Sequence, residues 1–167
     1  MIRTILTRSS LLVSLLTFLL ALALVSLPLQ TMQGQEKKTA DPWPSSETMQ
    51  PAVLAKMLTD KYASLPTVVY IGFRSLYVGG HVPDASFHGT ASSEQGLAEL
   101  KAWADSLPRA TELVIYCGCC PMEKCPNIRP AYTALRGMGF KKLRVLAIPT
   151  SFAADWADKG YPIQKGS

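Results

Sequence analysis

The chain has 167 residues, 48% hydrophobic and 17% charged, with a formal net charge of +5 at neutral pH. That length supports one core of ordinary domain size. The charge excess is mild: without Arg3 and Arg8 the 17 basic residues become 15 against 12 acidic ones, scattered rather than striped and not interleaved with aromatics, so no nucleic-acid surface is expected.

Residues 1–32 hold Arg3 and Arg8, no acidic residue, and an apolar run from Leu11 to Leu29 broken only by Ser14, Thr17, Ser26 and Pro28. This is the pattern of a secretory signal peptide. The run is also about long enough to cross a bilayer, so a retained N-terminal membrane anchor is the other reading. The Ala-x-Ala at Ala21 to Ala23 lies inside the run, and no cysteine follows the run to accept a lipid, which leaves the cleavage position open. Both readings place the rest of the chain outside the cytoplasm, in a periplasmic or similar space, with membrane contact only through this segment. Residues 33–48 are polar, with Pro42, Pro44 and paired serines, and read as a linker. Residues 49–167 are then the domain.

Within it, Val53, Leu54, Met57 and Leu58 recur at helical spacing over Pro51 to Tyr62, with Pro51 acceptable in a first turn. Thr67 to Phe73 is β-branched and aromatic without polar alternation, as in a strand buried on both faces. Ser92 and Ser93 offer caps to a helix carrying Leu97, Leu100, Trp103 and Leu107, which Pro108 stops. Glu112 to Tyr116 is a second buried strand and delivers Cys117 at its C-terminal end. Asn127 to Met138 reads as a helix with Ile128, Ala131, Ala134 and Leu135 on one face. Leu143 to Ile148 is a third strand, and Ser151 to Lys159 a last short helix with Phe152 and Trp156 at i,i+4 spacing. Strands alternating with helices predict an α/β fold with a mostly parallel central sheet and helices on both faces.

All four cysteines, at 117, 119, 120 and 125, fall within nine consecutive residues. Bridges this local would close almost no loop in the unfolded chain, so their role is expected to be local chemistry rather than stapling of the fold. A thiolate at the end of a buried strand, before a tight loop and a helix N-terminus, gains from loop amides and the helix dipole. The Cys117 pKa is therefore expected to fall, with Lys124 and Arg129 adding positive charge nearby.

Three segments resemble the rhodanese-like family. Ile71-Gly-Phe-Arg74 followed by Tyr77-Val-Gly-Gly-His81-Val-Pro-Asp-Ala85 is similar to its strand and Gly-His-Ile-Pro-Gly-Ala signature. Val114-Ile-Tyr-Cys117 resembles the strand that presents the family's catalytic cysteine. Gly139-Phe140 through Val145-Leu146 to Trp156 and Gly160-Tyr-Pro162 is similar to its closing pattern. The resemblance implies a rhodanese-like fold and a sulfurtransferase: Cys117 takes the outer sulfur of a small donor, holds it as a persulfide and passes it to an acceptor thiol or cyanide, with no cofactor. Arg74 and His81 are structural positions of the signature.

The chain departs from the family in two places. Gly72 stands where the family has Asp, and the active-site loop of Gly118, Cys119, Cys120, Pro121, Met122, Glu123, Lys124 and Cys125 is longer and richer in cysteine. Cys120 is the runner-up nucleophile, because Cys120 to Cys125 also spans six residues. Cys125 is the first candidate for a resolving thiol. Two other uses of the loop stay open: a thiol-disulfide redox module, or a non-catalytic copper or zinc site on Cys117, Cys119, Cys120 and Cys125.

Overall fold

A computed structural model describes residues 41–166. The leader or anchor expected at 1–32 and the first part of the expected linker lie outside the described residues. Among the described residues no helix is long and apolar enough to cross a membrane.

Five parallel strands form one sheet: β1 (Thr48–Met49), β2 (Thr67–Tyr70), β3 (Ser86–Phe87), β4 (Leu113–Tyr116) and β5 (Leu143–Leu146), in the order β1-β5-β4-β2-β3. The central β4 pairs Val69 with Ile115 on one side and Ile115 with Val145 on the other. All four of its residues are buried, which is why it carries no polar alternation. The helices are α1 (Pro51–Thr59), α2 (Arg74–Gly79), α3 (Glu94–Asp105), α4 (Ile128–Gly137) and α5 (Phe152–Asp155). One apolar layer joins Val69, Ile115 and Val145 to Leu100 of α3 and Leu135 of α4. The other joins Val68, Val114 and Leu146 to Leu54 of α1, Tyr77 of α2 and Trp156. The fold is thus the expected three-layer α/β arrangement.

The differences from the sequence reading are local. The edge strands β1 and β3 have two residues each, too short to show a period. The strand expected at 67–73 ends at Tyr70, although the Ile71 amide still donates to the Tyr116 carbonyl at 3.0 Å. The helix α2 was not expected, and its six residues include the turn motif that runs into His81. The expected last helix breaks after Asp155, because Trp156 leaves helical geometry at φ −129°, ψ −64°. The described part of the expected linker is packed: Trp43 is buried edge-on to Tyr132, Asp41 pairs with Arg129, and Glu47 meets Tyr132 and Arg136.

Candidate functional site

β4 ends at Tyr116 and puts Cys117 at the C-terminal edge of the sheet, where open parallel sheets leave a crevice. The chain turns away at once through Gly118, whose φ of +68° lies in the left-handed region. A Cβ there would stand 2.8 Å from Phe152 Cβ, so the turn also needs glycine for room. The Phe152 amide donates to the Gly118 carbonyl at 3.0 Å, and the Met122 amide donates to the Pro149 carbonyl at 3.1 Å, which fastens the loop to the segment after β5. A single 3-10 turn at Met122–Lys124 returns the chain to Cys125. The Arg129 guanidinium, half-buried at the start of α4, donates to the Cys125 carbonyl at 3.3 Å and reaches Asp41 at 2.6 Å.

This path gathers the sulfurs. Cys117 Sγ lies 3.1 Å from Cys119 Sγ, and Cys119 Sγ lies 3.2 Å from Cys120 Sγ. The Sγ atoms of Cys117, Cys119 and Cys125 all lie within 4.8 Å of one another. All four cysteines are free thiols; Cys117 and Cys125 are buried, while Cys119 and Cys120 are half-buried. Asn127, fully buried, donates from Nδ2 to Cys117 Sγ at 3.3 Å and accepts at Oδ1 from the Ser92 amide at 2.9 Å. It sits at the helix cap position without capping the helix, because both ends of its amide are already engaged.

The electrostatics differ from the expectation that Cys117 is the acidified thiol. Cys125 is brought down to about 5, because the Cys117 thiol and the backbone N–H groups of Asn127 and Ile128 all donate to it. The Cys117 thiol is pushed up, first by donating to Cys125 and then by burial. Cys120 is pushed up to about 12, mainly by burial. The helix-start amides that sequence reasoning assigned to Cys117 therefore serve Cys125, which is closer to the helix along the chain.

The other residues singled out in the sequence have these surroundings. Pro121 and Lys124 are exposed, and Met122 packs against the α3/α4 core layer. Glu123 is an exposed residue of the 3-10 turn. The Arg74 guanidinium lies over the Phe87 ring, 5.2 Å from its centroid. His81 is fully buried, stacks on Tyr77 at 3.8 Å between centroids, and has Nδ1 2.7 Å from the Tyr77 carbonyl oxygen. Gly72, in the place of the family's Asp, has a spatial reason to be glycine: a Cβ there would stand 2.7 Å from both Cys117 Sγ and Tyr70 Oη.

Asn127 and Tyr70 were not among the expected site residues. Tyr70 is 2% exposed; the Phe73 backbone N–H approaches its oxygen, yet its hydroxyl proton has no acceptor among the described residues. Burial first, then the nearby cysteines, holds this phenol protonated well above its usual range. Both residues are sequence-visible only as a polar tip on an inward strand position and an asparagine directly before a helix. A cavity of about 410 Å³ opens beside Tyr70, walled by Leu76, Phe152 and Ile163 and reaching Cys117 and Cys119.

Neither a family model nor a curated protein matches the chain. Among solved structures, it is similar to the rhodanese-like domain of the Alr3790 protein of Anabaena sp., at 21% identity and a TM-score of 0.52, over 71% of this chain and 79% of that one. It is also similar to the BH2092 protein of Bacillus halodurans, at 17% identity and a TM-score of 0.55, over 72% of this chain and 77% of that one. The fold of residues 41–166 is rhodanese-like.

Proposed function

We propose that this domain is a sulfurtransferase-type enzyme, exported from the cytoplasm, that carries sulfane sulfur as a persulfide on Cys117. The observation that carries the reading is the position of Cys117: it directly follows the central strand, reaches the cavity, and has a second sulfur, Cys125, within 4.8 Å as a seat for negative charge. The runner-up, Cys120, does not reach that cavity.

In the loading step a donor R–S–SH meets Cys117. Its thiol gives up the proton towards the Cys125 thiolate, and the Cys117 sulfur attacks the donor's outer sulfur. The Cys117 S–S bond forms, the bond between that sulfur and R–S breaks, and the proton ends on the leaving thiolate as R–SH. The Asn127 amide and the Cys119 backbone N–H favour negative charge on Cys117 sulfur as it develops. In the second step an acceptor thiolate attacks the terminal sulfur and Cys117 leaves. No cofactor enters either step, and the partners are a small sulfur donor and a thiol acceptor.

Intact-mass measurement on the reduced protein after polysulfide tests this. A gain of one sulfur atom that Cys117→Ser removes and Cys120→Ser keeps is the expected result. Loss of two hydrogens without added sulfur sinks the carrier reading in favour of a redox module, for which the 3.1 Å approach of Cys119 to Cys117 is suited. The three sulfurs within 4.8 Å also favour a second reading, a trigonal thiolate site for a soft ion such as copper(I). Stoichiometric copper(I) binding weakened equally by Cys117→Ser, Cys119→Ser and Cys125→Ser would distinguish it, since sulfur loading is abolished by Cys117→Ser and kept in Cys119→Ser.

A further inference from the structure

The cavity in front of Cys117 is poorly matched to a small inorganic dianion. Thiosulfate would fill a small part of about 410 Å³, a volume in the range of sites for organic ligands. Its walls are largely apolar, from Leu76, Phe152, Ala153 and Ile163, and Leu76 and Ile163 continue onto the surface at 47% and 42% exposure. Besides Tyr70 the lining offers only the Ser75 and Ser151 hydroxyls, so two negative charges would find few donors there and burying them would be unfavourable. The lining carries one charged side chain, Lys165, which is exposed. It also carries one buried polar tip, Tyr70 Oη, which the Phe73 backbone N–H approaches and whose own proton has no acceptor among the described residues, beside the same Gly72 backbone that Cys117 Sγ approaches. A donor-ready hydroxyl at the sulfur end, apolar walls and one ammonium describe a ligand with a sulfur head, a hydrocarbon body and a single anion.

We propose that this cavity is the sulfur-donor site and that it takes an organic persulfide with an unbranched apolar body and one terminal carboxylate, its sulfur meeting Tyr70 and Cys117 and its carboxylate meeting Lys165. Tyr70 Oη donates a hydrogen bond to the inner donor sulfur, where charge collects as R–S leaves. Leu76, Phe152 and Ile163 take the hydrocarbon out of water. The inference rests on Cys117 as persulfide carrier, so its test has one arm that needs no transfer.

The full chain is loaded from ethyl persulfide, from the persulfide of mercaptohexanoate and from thiosulfate, and Cys117 persulfide formation is timed by mass. Binding of methylthiohexanoate, an unreactive thioether, is measured separately by calorimetry. Ala153→Phe and Leu76→Asp, both at exposed positions on the cavity wall, serve as the variants. The expected result is loading from the hexanoate donor faster than from the other two by roughly tenfold or more, the gain lost in both variants. The thioether is expected to bind the unaltered chain and neither variant. Equal rates from all donors with no thioether binding overturn the inference and leave the carrier reading standing. If no donor loads Cys117, the carrier reading fails and the thioether alone decides the cavity: binding lost in both variants upholds an organic-anion site, and absence of binding overturns it.

Discussion

Four sulfurs share one loop, and at rest the negative charge settles on Cys125 rather than on Cys117 or Cys120. Cys125 receives the Asn127 and Ile128 amides and the Cys117 thiol, and it is held near 5 against an ordinary thiol value of 9.0. A group with a depressed pKa binds fewer protons folded than unfolded, so its contribution to stability is fully present above pH 9, declines as pH falls, and is gone below about pH 5. The unfolding midpoint of the reduced protein is therefore expected to rise between pH 5 and pH 9, and Cys125→Ser to flatten that rise. Thiolate absorbance in the ultraviolet should likewise lose its lowest titration step in that variant. A profile unchanged by Cys125→Ser would place the charge on another sulfur. The spacing of the cysteines shows that they cluster; it does not show which faces the helix amides, because that depends on how the loop turns at Gly118. Asn127 was hidden for a related reason: its two partners, Ser92 and Cys117, come from different elements, and nothing in the local pattern joins them.

At the level of elements, the cysteine loop is held from three directions: by Phe152 at Gly118, by Pro149 at Met122, and by Arg129 at Cys125. Arg129 also reaches Asp41, so the segment before β1 and the loop share one side chain. Arg129→Gln should cost about 1 kcal/mol, as expected for a half-buried charge-assisted bond. Amide exchange should quicken at both Met122–Cys125 and residues 41–47, though the two are far apart in sequence. Exchange faster at only one of them would mean that the arm and the loop are held independently. The long elements were readable because their apolar periods are strong, as in the four buried residues of β4. The arm was not, because Trp43 stands alone among polar residues and prolines, and its burial against Tyr132 depends on a helix read from a separate stretch.

On the scale of the whole molecule, one sheet divides two apolar layers, and every central strand contributes alternate side chains to both. Neither layer can be lost while the other persists, so unfolding of residues 41–166 is expected in one cooperative step. Leu54→Ala on one side and Leu135→Ala on the other, each fully buried, should each cost about 2–5 kcal/mol while keeping a single transition and an unchanged denaturant slope. Two separate transitions in either variant would show that the layers are independent. The alternation of strands and helices makes this architecture legible, whereas the edge positions of β1 and β3 depend on pairings that their two residues cannot announce.

The strand order has a consequence for how the chain is made. β1 and the arm before it leave the ribosome ahead of the other described elements, yet their places are beside β5 and on α4, which are made later. The four thiols likewise emerge before Pro149 and Phe152, the residues that fasten their loop. Throughout synthesis, then, a cluster destined for shelter travels on a chain that cannot yet shelter it, and the reducing power of the compartment during that interval decides how many copies finish with all four sulfurs free.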